Sequence, residues 1–335
     1  MNRNLFASTC LLTLNLGGFL NAQTVQNGAY QAAAQYSREH RGEALQVYQN
    51  GKLVFEEYAN GFKSGQAHKL ASGTKSFSRA IAVAAQQDGL LRLDERVSDT
   101  IGEWKGDPQR AQITVRQLLS LSAGLRPGKD EIAGAGNRNL EAIAQPLEAA
   151  PGTRFIYGPA SFGVFSELMT RKLKGDPVAY LERRVLTPIG LKVAHWNRDA
   201  IGNASLFGGL WLEAGDWAKY GQFIAQNGVW NGKQVLPADL LAQCFKPSAA
   251  NPAYGLTFWL SASVPPEVDG GRAQDSRGRP VNPPAPGAAL PPDFRMAAGA
   301  GKQRLYIVPG ANLVVVRYGD GGPWSDTDFF KLLLP

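Results

Sequence analysis

Two hairpin signatures near opposite ends of the chain limit the fold more than any other feature. In the first, Ala44–Gln49 and Lys52–Tyr58 alternate apolar and polar residues on either side of Asn50-Gly51. Asn-Gly between such runs is a strong hairpin signal, because both positions of the tight turn need positive φ. In the second, Gln303–Val308 and Asn312–Tyr318 flank Pro309-Gly310. The pattern between them is mainly helical. From Ser72, the residues Phe77, Ile81, Ala84 and Ala85 recur at helical spacing until Asp88-Gly89, a C-cap signal. Thr114 is the expected cap of a helix from Val115, and Ala160–Leu173, Pro177–Val185 and Ala214–Ile224 are also read as helices, with a last one over 325–334. Strands at both ends and helices between predict one sheet built from the two termini, with an inserted helical region. Residues 23–97 and 201–335 are assigned to the sheet domain and 98–200 to the helical one. The Pro- and Gly-rich stretch 262–293, with Arg272, Arg277 and Arg279, reads as a long irregular loop.

The N-terminus has a separate logic. Met1-Asn2-Arg3-Asn4 carries one positive charge, Leu5–Leu20 is mostly apolar, and Asn21-Ala22-Gln23 offers a small residue for cleavage after Ala22. Residues 1–22 therefore read as a secretory signal peptide, interrupted by Asn15 and Gly17-Gly18 and too short for a good membrane span. Ala7-Ser8-Thr9 before Cys10 makes no convincing lipid-attachment site, so no stable membrane anchor is expected. An exported chain lacking residues 1–22 retains only Cys244, and no internal disulfide can form. The expected location is periplasmic or secreted. The net charge of +7 is spread without runs of five or six basic residues, so nucleic acid is not an expected partner.

Ala71-Ser72-Gly73-Thr74-Lys75-Ser76 contains a Ser-x-x-Lys where a strand pattern gives way to a helix. On a helix, residues i and i+3 share a face, which brings the Ser72 hydroxyl to the Lys75 amine. A serine hydroxyl needs a neighbouring base to act as a nucleophile, and a buried lysine can supply one. A position in the first helical turn also favours developing negative charge. Rival machinery is missing: there is no Gly-x-Ser-x-Gly, His-Glu-x-x-His, Cys-x-x-Cys or Walker pattern. His40, His68 and His195 fit no triad, and His68 reads as an ordinary surface residue. Trp211 and Trp259 read as core. No cofactor and no metal are expected.

The motifs extend well beyond that tetrapeptide. Gly51-Lys52-Leu53-Val54, Ser72–Phe77, Asp88-Gly89-Leu90-Leu91-Arg92-Leu93-Asp94, Ile113–Ser120 and Ser122-Ala123-Gly124-Leu125 follow in order. Pro151-Gly152-Thr153-Arg154-Phe155-Ile156-Tyr157, Gly208–Trp211, Asn227–Lys233 and the last hairpin come after them. This series resembles the beta-lactamase-related serine hydrolases, a group including class C beta-lactamases, penicillin-binding carboxypeptidases, family VIII esterases and aminohexanoate-dimer hydrolases. The resemblance spans nearly the whole mature chain. It implies an α/β (α+β) fold, an antiparallel sheet flanked by helices plus an all-helical insert, with the site between them. It implies that Ser72 is the acylated nucleophile, that Lys75 is its base or tunes it, and that Tyr157 shuttles protons with the lysine. It also implies a substrate strand at Gly299-Ala300-Gly301-Lys302-Gln303, the first strand of the last hairpin. The Ala300 amide there would join that of Ser72 as the oxyanion hole.

Two departures bear on the substrate. The family's Tyr-x-Asn becomes Tyr157-Gly158-Pro159, and the Lys/His-Thr/Ser-Gly element becomes Gly and Ala, with Lys302 or Arg295 as possible replacements. Hydrolysis of esters or small amides is therefore expected over that of beta-lactams. The alternatives are a weak beta-lactamase, a D-alanyl-D-alanine carboxypeptidase and a non-catalytic penicillin-binding-like module. The expected partner is a small ester, amide or peptide substrate.

Overall fold

Asn50 and Gly51 take φ of 52° and 76°, the left-handed pair required by a two-residue hairpin. The structure, a computed structural model, describes residues 16–128, 136–261 and 290–334, with side chains from residue 26 onward. Residues 1–15 of the expected signal peptide and 262–289 of the expected loop lie outside the described residues. Helix α1 (Leu16–Glu39) runs through the expected cleavage point and leads into β1 (Gly42–Gln49) and β2 (Lys52–Tyr58). A short strand β3 (His68–Lys69) precedes α2 (Lys75–Gln87). Then come α3 (Val115–Leu119), α4 (Arg138–Ile143), α5 (Ala160–Leu173), α6 (Pro177–Leu181) and β4 (His195–Trp196). After β5 (Leu210–Leu212) and α7 (Ala214–Ala225) lie β6 (Val229–Trp230), β7 (Lys233–Gln234), α8 (Ala238–Gln243) and β8 (Trp259–Leu260). The chain closes with β9 (Arg295–Gly299), β10 (Gln303–Val308), β11 (Leu313–Gly319) and α9 (Asp326–Leu333).

The main sheet among the described residues is antiparallel, in the order β2-β1-β11-β10-β9-β8. The two hairpins therefore meet at its centre, where Val47 pairs with Val315. Every residue of β10 and β11 is buried, because helices cover both faces. Gly221 of α7 lies against Val314 and Leu305, and Arg317, facing the other way, donates to Ser37 of α1. A buried network fixes α9 to the same layer. Arg304 and Asp326 pair at 2.8 Å, and the Tyr306 hydroxyl and Trp324 indole donate to the same carboxylate. The helices α3 to α6 occupy the chain between the two sheet-forming parts. A smaller sheet, β3-β5-β4, crosses between them. Thr114 caps α3 with a reciprocal Thr114–Gln117 capping box.

Two local expectations are corrected. Helix α2 begins at Lys75, and Ser72 sits in a preceding 3-10 turn over Ala71–Thr74. The cause is tertiary: the Leu70 amide donates to the Leu210 carbonyl, and Ala71 takes a φ of 47°, so the regular helix starts later. The stretch Gly299–Gln303 is also no single strand of the last hairpin. It comprises the end of β9, a tight turn and the first residue of β10, with Gly301 at φ 77° and Lys302 at φ 66°.

Candidate active site

Ser72 is half-buried in its turn, and the backbone just before it is strained. Ala71 is a non-glycine in the left-handed region, a conformation costing about 1–2 kcal/mol that persists only where its surroundings hold it. Thr74 does the holding. Its hydroxyl donates to the Ala71 carbonyl at 2.7 Å and accepts the Leu210 amide at 3.1 Å, tying the turn to β5. Gly73 packs under Trp217, whose ring a Cβ there would meet at 2.8 Å.

Lys75 is the centre of the site. It is 3% exposed, and its Nζ donates to Ser72 Oγ at 2.9 Å and to the Phe207 carbonyl at 2.9 Å. The rings of Tyr157, Phe162 and Phe207 stand 4.8, 5.6 and 6.0 Å from the nitrogen. Burial removes the water that would solvate an ammonium, and the protein's own carbonyl and ring faces stand in its place. An amine so placed can exchange a proton with the hydroxyl it touches.

Tyr157 comes to this amine from the loop before α5, held where the Ile156 amide donates to the Leu121 carbonyl at 2.8 Å. Its ring is buried and stacks on Trp259 at 6.1 Å and 21°. Burial pushes the neighbouring Tyr254 phenol well above its usual range, with Tyr157 adding to the effect. Gly158 is forced by crowding, since a Cβ would lie 2.5 Å from Pro127. Pro159, at φ −76°, starts α5. No side-chain amide can stand at either place.

The turn after β9 lies against the Ser72 turn. A Cβ on Gly299 would come within 2.0 Å of the Leu70 carbonyl oxygen, so only glycine permits this approach. Gln303 holds the turn. Its amide donates to the carbonyls of Gly319 at 2.6 Å and Ala300 at 3.2 Å, and its oxygen accepts the Gly319 amide at 3.1 Å. Gln303 was quoted only as part of a motif, and its positioning role was missed. Phe207, whose carbonyl anchors Lys75, was missed altogether. The signal for it is the adjoining Gly208-Gly209.

The two proposed replacements for a carboxylate anchor are placed differently. Lys302 is half-buried, and burial, with the like charge of Arg304, holds its ammonium below the usual range. Arg295 lays its guanidinium on Phe245 at 3.6 Å, in the company of Arg79. His68 differs from its sequence reading. It is half-buried, paired with Glu43 at 2.9 Å and stacked on Tyr318 at 5.0 Å. Trp259 is buried and Trp211 partly so, its indole donating to Asn197 at 2.7 Å. Among the described residues no helix is long and apolar enough to cross a membrane, and no group of three or more His, Cys, Asp or Glu could hold a metal.

The family model described as Beta-lactamase matches residues 28–318. Protein flp of Staphylococcus aureus is 23% identical over 168 residues, a match covering 45% of this chain and 34% of that protein. The chain thus aligns with about a third of the length of that relative. Among solved structures, EstCE1, a hydrolase with promiscuous acyltransferase activity, superposes with a TM-score of 0.71 at 15% identity. That match covers 94% of this chain and 100% of the other. The D-alanine carboxypeptidase AmpC of Burkholderia cenocepacia gives 0.68 at 18% identity, covering 94% and 99%. These structural likenesses are likenesses of fold.

Proposed function

This chain belongs to the beta-lactamase family, a family of serine hydrolases, and we propose that it is an exported hydrolase of short esters or small amides acting through an acyl-enzyme at Ser72. The observation that carries the proposal is the buried Lys75 amine, bonded at once to Ser72 Oγ and to the Phe207 carbonyl beside the ring of Tyr157. In the proposed reaction, Ser72 Oγ bonds to the acyl carbon while its proton passes to the Lys75–Tyr157 pair. The resulting oxyanion is met by the amides of Ser72 and Ala300. Collapse breaks the bond to the alcohol or amine, which leaves with that proton. Water then attacks the acyl group, the pair takes its proton, and Ser72 is restored as the carboxylic acid departs. A depression lined by Pro159, Ala160, Arg138 and Phe207, the residue whose carbonyl anchors Lys75, is the proposed place for the acyl or leaving group.

The expected substrate preference follows from what surrounds Tyr157. A beta-lactam needs polar anchors for its side-chain amide and its carboxylate. Gly158-Pro159 and Gly299-Ala300-Gly301 supply no side-chain donors at those places. Each lost anchor costs about 1–3 kcal/mol, or roughly ten- to hundredfold in rate. Short nitrophenyl esters need only nucleophile and oxyanion hole, and their kcat/KM is expected to exceed that of penicillins and cephalosporins. A beta-lactam turned over faster than every ester would install the lactamase or carboxypeptidase reading instead. Stoichiometric binding of penicillin with no turnover of any ester or amide would support a non-catalytic module. Export is part of the proposal, motivated by the apolar Leu5–Leu20 run. Protein recovered outside the cytoplasm is expected to begin at Gln23, and an intact Met1 terminus there would remove that part.

A further inference from the structure

We propose that the protein binds a halide-sized monovalent anion, chloride in ordinary solution, at a site furnished by Arg79 and Arg295 beside Phe245 and Phe258. Arg79 lies on α2, one helical turn past Lys75, and is 0% exposed. Its guanidinium lies in the corner between two rings, with Cζ 4.2 Å from the centroid of Phe245 and 4.2 Å from that of Phe258, whose centroids are 5.8 Å apart. All three of its nitrogens are buried, none forms an ion pair among the described residues, and their neighbouring acceptor is the Tyr220 hydroxyl. Arg295 from β9 adds a second guanidinium 3.6 Å from the same Phe245 ring, and its buried Nη1 has no hydrogen-bond partner among the described residues.

The neighbouring groups among the described residues do not cancel this charge. The Cys244 thiol is pushed up to about 11 by burial, so it is neutral at physiological pH. The Tyr220 phenol is pushed up to about 12 by burial, and its hydroxyl donates to the Ser76 carbonyl. Asp293 acts on Arg295 from a distance while its carboxylate accepts the Gly310 amide. Burial and the like charge of Arg79 lower Arg295 to about 10, which still leaves it charged at neutral pH.

A fully buried and a half-buried cation with no counter-charge among the described residues are costly, and aromatic faces repay only a part. The Arg79 guanidinium is planar, and its N–H donors project from the edge of that plane. An acceptor must therefore approach in the plane, and it must carry negative charge to offset two cations. Water meets the first condition and fails the second. A fully buried position favours a bare halide over a bulky carboxylate or phosphate.

The test reads thermal stability, so its outcome is independent of the hydrolase reading. Melting temperature is measured in sodium chloride and in sodium gluconate at equal ionic strength. The native protein is expected to gain roughly 3 °C or more in chloride, saturably, because an ion bound only by the folded state stabilises it by mass action. Arg79→Met removes the charge while keeping apolar length, and is expected to abolish the chloride response. In gluconate that variant is expected to be at least as stable as the native protein, since its unpaired buried charge is gone. Arg295→Gln is the second variant should Arg79→Met fail to fold, and a weakened chloride response is expected of it. Crystals grown in bromide are expected to show an anomalous peak within hydrogen-bonding distance of Arg79. Equal melting in both salts, a chloride response that survives Arg79→Met, or bromide only elsewhere would overturn the proposal.

Discussion

Ser72→Ala is expected to reduce ester turnover by at least ~10⁴-fold while leaving the protein folded, because it removes the atom that forms the acyl bond and little else. The hydroxyl is half-buried, and its recorded partner is Lys75 Nζ at 2.9 Å. Deleting it leaves the amine its bond to the Phe207 carbonyl, so the stability cost should be about 1 kcal/mol, that of one hydrogen bond. The strained Ala71 backbone is held by Thr74, which the substitution does not touch. A fluorophosphonate should add once to the native protein, at Ser72, and not at all to the variant, as read by intact mass and peptide mapping. Labelling of a different serine, or near-native turnover by a folded variant, would end the assignment.

Removing either member of the proposed proton-transfer pair should cost about two orders of magnitude or more in kcat. For Lys75 the informative change is to Met, because a side chain 3% exposed among Tyr157, Phe162 and Phe207 leaves a cavity if shortened to Ala. For Tyr157 it is Phe, which keeps the stack on Trp259 and deletes only the hydroxyl. The Lys75→Met, Tyr157→Phe double variant should be scarcely slower than the worse single variant, because groups that act as one unit fail together. Circular dichroism and melting temperature would show that packing survives. Fully multiplicative losses, or a Tyr157→Phe variant with native kcat, would separate the tyrosine from the lysine and reject the pair.

What was legible in the sequence is what depends on neighbours a few residues apart. Asn50-Gly51 specifies its hairpin because the two turn positions need positive φ, and both have it. Thr114 and Gln117 specify the start of α3 because each satisfies a backbone amide of the other's residue. The meeting of Ser72 and Lys75 follows from their spacing, and it survives the replacement of a regular helical turn by a 3-10 turn at Ser72. The ordered motif series added the family, and with it the antiparallel sheet from both termini.

Only the tertiary structure decided the rest. The partner carbonyl of Lys75 lies 132 residues away at Phe207, and no local pattern encodes a backbone oxygen as a ligand. The left-handed φ of Ala71 is imposed from Thr74 and β5, against the preference of alanine itself. Position 299 accepts only glycine because the Leu70 carbonyl leaves no space for a Cβ, a contact between distant segments. Arg79 occupies a helical position that propensity alone would leave to solvent, yet it is fully buried against two phenylalanines from beyond α7. Sequence spacing carries short-range geometry, in which one turn or one cap fixes a few dihedrals. Burial, register and electrostatic surroundings are properties of segments brought together, and the chain acquires them only when the sheet closes.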